Sequence, residues 1–295
     1  MGDCFAEYGR GRGDRHEITP SIEKHGQQIH SCCSARDLYK KQQYSVLLRF
    51  RILEIKPNIR LIQILIILNE KAKEIMKLHL GCGQRYLEGY VNIDLPSAEH
   101  SVQKKSVADI HQDIRTLSYE EESIEEIRLH HLFEHFTRPI VCALIVTWRS
   151  WLVPKGILRI EVPDLEKTAK VMLRPFTSFK KKALAERHIF GSHEASWAVH
   201  CIGYSAKTLC HLLRTYELDI IEVNRNTWRG TYNIEVIAEK NDIELTNNQC
   251  FHITRKFLSN FLVDQTEGEL SLLEVWLQIY KKRVEPCFVK KNQTK

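Results

Sequence analysis

The amino-acid sequence predicts a doubly wound α/β protein whose mainly parallel sheet ends in an antiparallel hairpin. Three observations carry that expectation. Short apolar strands alternate with turn or helical segments from Met76 to Val162, the pattern of parallel strands covered on both faces. The first strand runs straight into a Gly-x-Gly turn, Gly81-Cys82-Gly83, and the second ends in a carboxylate, Asp94. Farther on, two extended runs, Leu218 to Asn224 and Tyr232 to Glu239, are close enough to pair with each other.

The elements follow in order. Strand one is Met76 to Leu80, strand two Tyr90 to Ile93, and a weak strand three lies near Ser106 to Ile110. Strand four, Ile124 to Leu129, follows the acidic turn Glu120-Glu-Glu-Ser123. A helix is expected over Pro139 to Trp151, where Ile140, Leu144, Ile145, Trp148 and Leu152 recur at helical spacing. Pro154-Lys-Gly156 reads as the turn into strand five, Ile157 to Val162, which Pro163 closes. The stretch from Glu166 to Gly203 reads as irregular and rich in histidine and aromatics, and Ser205 then caps a helix through Tyr216.

Three segments result. Residues 1–75 form an extension, polar and aperiodic at first and read there as disordered, with a possible helix over Arg60 to Ile75. Residues 76–240 form the main domain. Residues 241–295 form an appendage whose clear element is an amphipathic helix, Glu267 to Lys282, with Leu270, Leu273, Trp276, Leu277 and Tyr280 on one stripe. Packing against the parent domain is the plain role of that stripe, and a homodimer contact is the alternative.

Composition narrows the function. A 43% hydrophobic content in 295 residues suffices for a substantial core, and a net charge of +6 falls short of a nucleic-acid footprint. The cluster Lys180-Lys-Lys182 reads as a solvated helix face. Nine cysteines, irregularly spaced and without a C-x-x-C pair, indicate reduced, cytoplasmic usage with neither a disulfide framework nor a zinc knuckle. The most hydrophobic run, Leu61 to Leu68, is too short to span a bilayer.

The glycine turn points to a nucleoside. Without a Cβ the backbone can approach a ligand closely, and a carboxylate at the tip of the next strand can accept from both hydroxyls of a ribose. A pyrophosphate fingerprint needs a third glycine, but Tyr86 stands there. S-adenosylmethionine, a nucleoside without pyrophosphate, is the cofactor this predicts. At this point the chain resembles the class I S-adenosylmethionine-dependent methyltransferases, which have a Rossmann-like fold. It looks most like their small bacterial, type 11-like branch that opens "LHLGCG…GYVNID". The resemblance runs from about Met76 to Lys240 and rests on Gly81-Cys82-Gly83, Asp94, Asp113, the segment from His131 to His135, and Leu152-Val-Pro-Lys-Gly156.

The resemblance implies that Gly81, Cys82 and Gly83 line the cofactor and that Asp94 holds its ribose. It places Asp113 at the adenine amino group, Ile114 on the adenine face, and His131 beside the cofactor pocket. One departure stands out: the residue two before the first glycine, usually acidic in class I enzymes, is His79. The acceptor implied is a small molecule or a sugar-containing precursor of a surface polymer. A hydroxyl acceptor needs a general base, a task suited to histidine near neutral pH. Ile189-Phe-Gly191…His200-Cys-Ile-Gly-Tyr204 resembles the family's "FGG…H…GF/Y" segment, so His200 is the first candidate and His135 the second; His188 and His193 lie nearby.

Two other readings stand beside this one. The first is a nucleoside-binding module without catalysis, suggested by His79. The second takes His131-x-x-Glu134-His135 as an inverted zinc-protease motif, with two imidazoles on one helix face and a carboxylate base between them. The motif straddles a strand end and a helix start, however, and the resemblance implies no metal there.

Overall fold

The computed structural model describes residues 75–99 and 105–289. The expectations for residues 1–74, including the helix over Arg60 to Ile75, lie outside the described residues. The described residues belong to one compact unit.

Seven strands form one sheet: β1 (Met76–Leu80), β2 (Val91–Asp94), β3 (Ile110–His111), β4 (Ile124–His130), β5 (Leu152–Pro163), β6 (Leu218–Trp228) and β7 (Thr231–Lys240). Their spatial order is β3-β2-β1-β4-β5-β7-β6. The first five are parallel, β7 is antiparallel to β5, and β6 is antiparallel to β7. This is the mixed α/β architecture expected from the sequence, with the antiparallel pair at one edge. The hairpin turns on Arg229 and Gly230, both at positive φ (48° and 88°), which matches the right-handed twist of the flanking strands.

Strand alternation divides the sheet into two unlike faces. Leu78, Leu80, Ile127, Leu129, Leu158, Ile160, Ile234 and Val236 point to one face and are fully buried. Helix α1 (Arg138–Trp151) packs into that core and is apolar around most of its girth, with Val141, Cys142, Ile145 and Trp148 fully buried. It is covered in turn by α6 (Glu267–Val289), whose Leu273, Leu277, Tyr280 and Val284 join the same core. A dimer through this helix would therefore have to use its other face, where Leu272, Val275 and Ile279 are exposed.

The opposite face is polar. His79, Arg128, His130, Arg159, Glu161 and Glu235 alternate with the core residues along β1, β4, β5 and β7. Arg159 lies 3.2 Å from Glu126 and 3.4 Å from Glu235, and Arg128 is 3.5 Å from Glu235.

Several features add to the sequence reading or depart from it. Residues 81–90 connect two parallel strands without a helix, although such crossovers usually contain one. Asn92 makes this possible. Its Oδ1 accepts from Leu87 N (2.9 Å), and its Nδ2 donates to the carbonyls of Leu87 and Tyr90 and to Asp109. Pro154-Lys-Gly156 is a bulge inside β5, not a turn before it: Ile124 pairs with Leu152 and Glu126 with Ile157. The stretch read as irregular contains α2 (Leu165–Leu173) and α3 (Phe179–Phe190). Helix α4 (Ala206–Thr215) is capped by Ser205 as expected, and α5 (Asn247–Ser259) is an unforeseen helix capped by Thr246 and Gln249.

Candidate functional site

The glycine turn and the end of β2 are locked together. Gly81 N and Cys82 N both donate to the Ile93 carbonyl, at 2.8 and 3.1 Å. Gly83 N donates to Asp94 Oδ2 and Leu95 N to Asp94 Oδ1, each at 2.8 Å. Asp94 is only 7% exposed, so the carboxylate is held in one orientation against the turn. These two hydrogen bonds fix the orientation of the carboxylate.

The two glycines serve different ends. Gly81 has φ +65°, and a Cβ there would meet Leu132 Cδ2 at 2.7 Å. Gly83 has φ +55°, and a Cβ there would meet nothing within 4 Å. The first glycine lets β1 pass close to the segment after β4. The second meets none of the described residues and lies at the carboxyl ends of the strands, where ligands bind in open α/β sheets. Cys82 is buried, and burial, with Asp94 and Asp109 nearby, pushes its thiol up to about 12. It is a packing residue of the turn, inert as a nucleophile near neutral pH.

The other residues assigned to the cofactor are differently placed. Asp113 caps the 3₁₀ turn Ile114–Thr116, accepting from Arg115 N at 2.8 Å and from the Arg115 guanidinium through both oxygens at 2.6–3.0 Å. Burial would raise its pKa, but the Arg115 hydrogen bonds and charge outweigh it and hold the carboxyl below its usual range. Ile114 is already buried in the core, leaving little of it for an adenine to pack on. His79, at the position usually acidic, is fully buried, with Nδ1 3.0 Å from Asn92 Oδ1 and Nε2 3.1 Å from His130 Nδ1. Burial lowers its pKa, with Arg128 and Arg85 adding to the effect and Asn92 opposing it. It is a neutral link between strands.

The histidines converge beyond the end of β4. His131 has φ +50°, an uncommon conformation for a residue with a Cβ, and its amide donates to the Glu161 carbonyl. Its ring lies 3.4 Å from both Glu134 and Glu161. Burial would lower its pKa, but the two carboxylates raise it to about 9. Phe133–His135 then forms a 3₁₀ turn, so His131 and His135 do not share a helix face. His200 is brought to this turn by the backbone: Cys201 N and Ile202 N both donate to the Glu134 carbonyl, at 2.8 and 3.2 Å. His200 Nε2 lies 3.9 Å from Glu134 Oε1, and its ring stands edge-on to His135 with centroids 4.7 Å apart. Burial lowers the His200 pKa, against the pull of Glu134.

These rings line a cleft of about 860 Å³, together with His188, Arg187 and Trp197, a volume suited to a small molecule. His188 is anchored to the Tyr232 carbonyl at 2.9 Å, and the exposed His193 bonds the Phe190 carbonyl and stands outside the cluster. Arg85, in the crossover after the glycine turn, also lines the cleft, and Leu132 lies against Gly81. The turn and the cleft are therefore neighbours. Glu134 lies in the segment from His131 to His135 that carries the resemblance but has no role assigned there from the sequence, and Glu161 lies in a strand without a motif.

No protein-family model matches the sequence, and no curated protein matches it. Solved structures similar to the chain include a SAM-dependent methyltransferase from Methanosarcina mazei, at 17% identity over 60% of this chain and 97% of that one, TM-score 0.38. Another is the 1,6-didemethyltoxoflavin N1-methyltransferase of Burkholderia thailandensis with bound S-adenosylhomocysteine, at 11% identity over 72% and 94%, TM-score 0.39. A third is the magnesium protoporphyrin IX methyltransferase of Synechocystis with bound S-adenosylhomocysteine, at 11% identity over 73% and 90%, TM-score 0.36. At such identities and scores they assign no chemistry to this chain.

Proposed function

We propose that this chain is an S-adenosylmethionine-dependent methyltransferase acting on a small-molecule or sugar-containing acceptor, such as a precursor of a surface polymer. The observation that carries the reading is Asp94, buried at the tip of β2 and oriented by the amides of Gly83 and Leu95 beside an open glycine turn. That arrangement suits a ribose diol. Residues 76–240 hold the chemistry, and the likeness to the small bacterial branch guides the choice of acceptor. Free cysteines at Cys82, Cys142, Cys201 and Cys210 fit a reducing, cytoplasmic setting. None of the described helices is long and apolar enough to cross a membrane.

The sulfonium is a good leaving group, so the protein's main task is to align the acceptor in line with the methyl group. The cleft beside the turn supplies that alignment. His200 and His135 are the residues we assign to activating the acceptor, because both line the cleft and pack against a buried carboxylate.

Calorimetry with S-adenosylhomocysteine tests the cofactor, with a micromolar dissociation constant expected. His200→Ala should leave that affinity within about twofold and cut turnover by about 10²–10⁴-fold. Absence of cofactor binding by the wild-type chain would sink the reading. Full activity in His200→Ala would remove that residue from it.

A further inference from the structure

Glu134 is a buried carboxylate flanked by three histidines, His131 on one side and His135 and His200 on the other. It is 1% exposed, yet neither carboxylate oxygen accepts a hydrogen bond from a described residue. Its nearest charged neighbour is His131 Nδ1 at 3.4 Å. On its other side stand His200, with Nε2 at 3.9 Å, and His135, whose Nδ1 is buried without a partner. One donor atom from each of Glu134, His135 and His200 lies within 4.8 Å of the other two. A buried carboxylate is stable when paired or bound to a metal.

We infer that Glu134, His135 and His200 form a binding site for one divalent transition-metal cation, of which zinc suits two imidazoles and a carboxylate best. Bonds of about 2.0–2.2 Å place tetrahedral donors about 3.3 Å apart, so donor atoms now within 4.8 Å of one another need close by no more than about 1.5 Å. The backbone around them is fixed, since Cys201 N and Ile202 N hold the Glu134 carbonyl and Cys201 Sγ donates to the His135 carbonyl at 3.2 Å. The ligand set differs from that of the inverted zinc-protease motif. His131 is turned toward Glu134 and Glu161, and Glu134 becomes a ligand in place of a general base.

Three protein ligands leave a position open, and His135 and His200 border the cleft. The inference rests on the methyl-transfer reading only for the cation's role. An acceptor hydroxyl bound at the open position would lose its proton more readily, which is how the two histidines would activate it.

Full-length protein dialysed against EDTA is titrated with zinc chloride by calorimetry, and its zinc content after desalting is read by mass spectrometry. S-adenosylhomocysteine is titrated separately. One zinc per chain is expected. Glu134→Gln and His200→Ala should each weaken zinc binding by about 100-fold or more, and His211→Ala, exposed on α4, should bind as wild type. Thermal melts identify any variant that fails to fold, and His135→Ala then replaces it. Sub-stoichiometric zinc in the wild type, or undiminished affinity in the folded variants, would overturn the inference. Zinc binding without S-adenosylhomocysteine binding would remove the methyl-transfer reading and leave the site standing.

Discussion

Replacing Asp94 by alanine is the perturbation most directly tied to the cofactor. Its carboxylate is oriented by two backbone amides at 2.8 Å. A ribose diol would add two hydroxyl donors to a charged acceptor that is already in place. Hydrogen bonds to a charged group are worth about 1.5–3 kcal/mol, so the loss should weaken S-adenosylhomocysteine binding by about 10–150-fold. Removing the carboxylate also leaves Gly83 N and Leu95 N without these partners, at a stability cost of about 1–3 kcal/mol. Calorimetry measures the affinity, and a urea melt of the same sample shows whether the variant is folded. Asp113→Ala is the companion variant. Arg115 already engages both Asp113 oxygens, so its removal should cost cofactor affinity no more than about threefold. A folded Asp94→Ala protein that binds within threefold of wild type would refute the ribose assignment. A larger loss in Asp113→Ala than in Asp94→Ala would show that the adenine side dominates.

Gly81→Ala should destabilise the fold by about 2 kcal/mol, from its positive φ and the 2.7 Å approach to Leu132; Leu132→Ala in the same chain should recover part of the loss in urea melts. Asn92→Ala should cost about 2–4 kcal/mol in the same assay, because the helix-less crossover loses the side chain that holds Leu87, Tyr90 and Asp109. Acid should destabilise the protein through His130, which burial and the charges of Arg85 and Arg128 lower from 6.5 to about 3. A histidine with a depressed folded pKa contributes stability that is complete above its unfolded value and is lost as pH falls below it. Stability should therefore decline from about pH 6.5 toward pH 3 by about 1.4 kcal/mol per unit, and a His130→Gln variant should flatten that slope in melts taken across the range.

The sheet was legible because its evidence is local. Leu78, Leu80, Ile127 and Leu129 alternate with polar residues, and glycines and prolines mark the strand ends. The hairpin followed from two adjacent β-rich runs. What escaped notice depended on contacts distant in sequence. The crossover at residues 81–90 dispenses with a helix because the Asn92 side chain, itself held by Asp109, bonds Leu87 and Tyr90, and no spacing of apolar residues shows that. The bulge in β5 arises from pairing with β4, whereas Pro154 and Gly156 taken alone signal a turn. Helix α3 carries Lys180, Lys181 and Lys182 on the solvated face that their clustering suggests, but its few apolar positions do not mark its bounds. Helix α5 carried a readable sign, since Thr246-x-x-Gln249 is a capping-box spacing.

The site divides along the same line. Gly81, Gly83 and Asp94 lie within one strand-turn-strand unit, so their spacing alone foretold their meeting. Asp113 was named for its position only, and its neighbour Arg115 occupies the carboxylate that position offered. The histidines show the limit most clearly. In the sequence His131, Glu134 and His135 form one motif and His200 stands far away, so the motif suggests that His131 and His135 act as a pair. In the fold, β4 ends at His130, His131 takes a left-handed conformation, and the chain tightens into a 3₁₀ turn. That geometry directs His131 toward Glu161 and leaves Glu134 and His135 facing His200, which two amides tie to the Glu134 carbonyl. The chemistry available here is therefore decided by the way β4 ends.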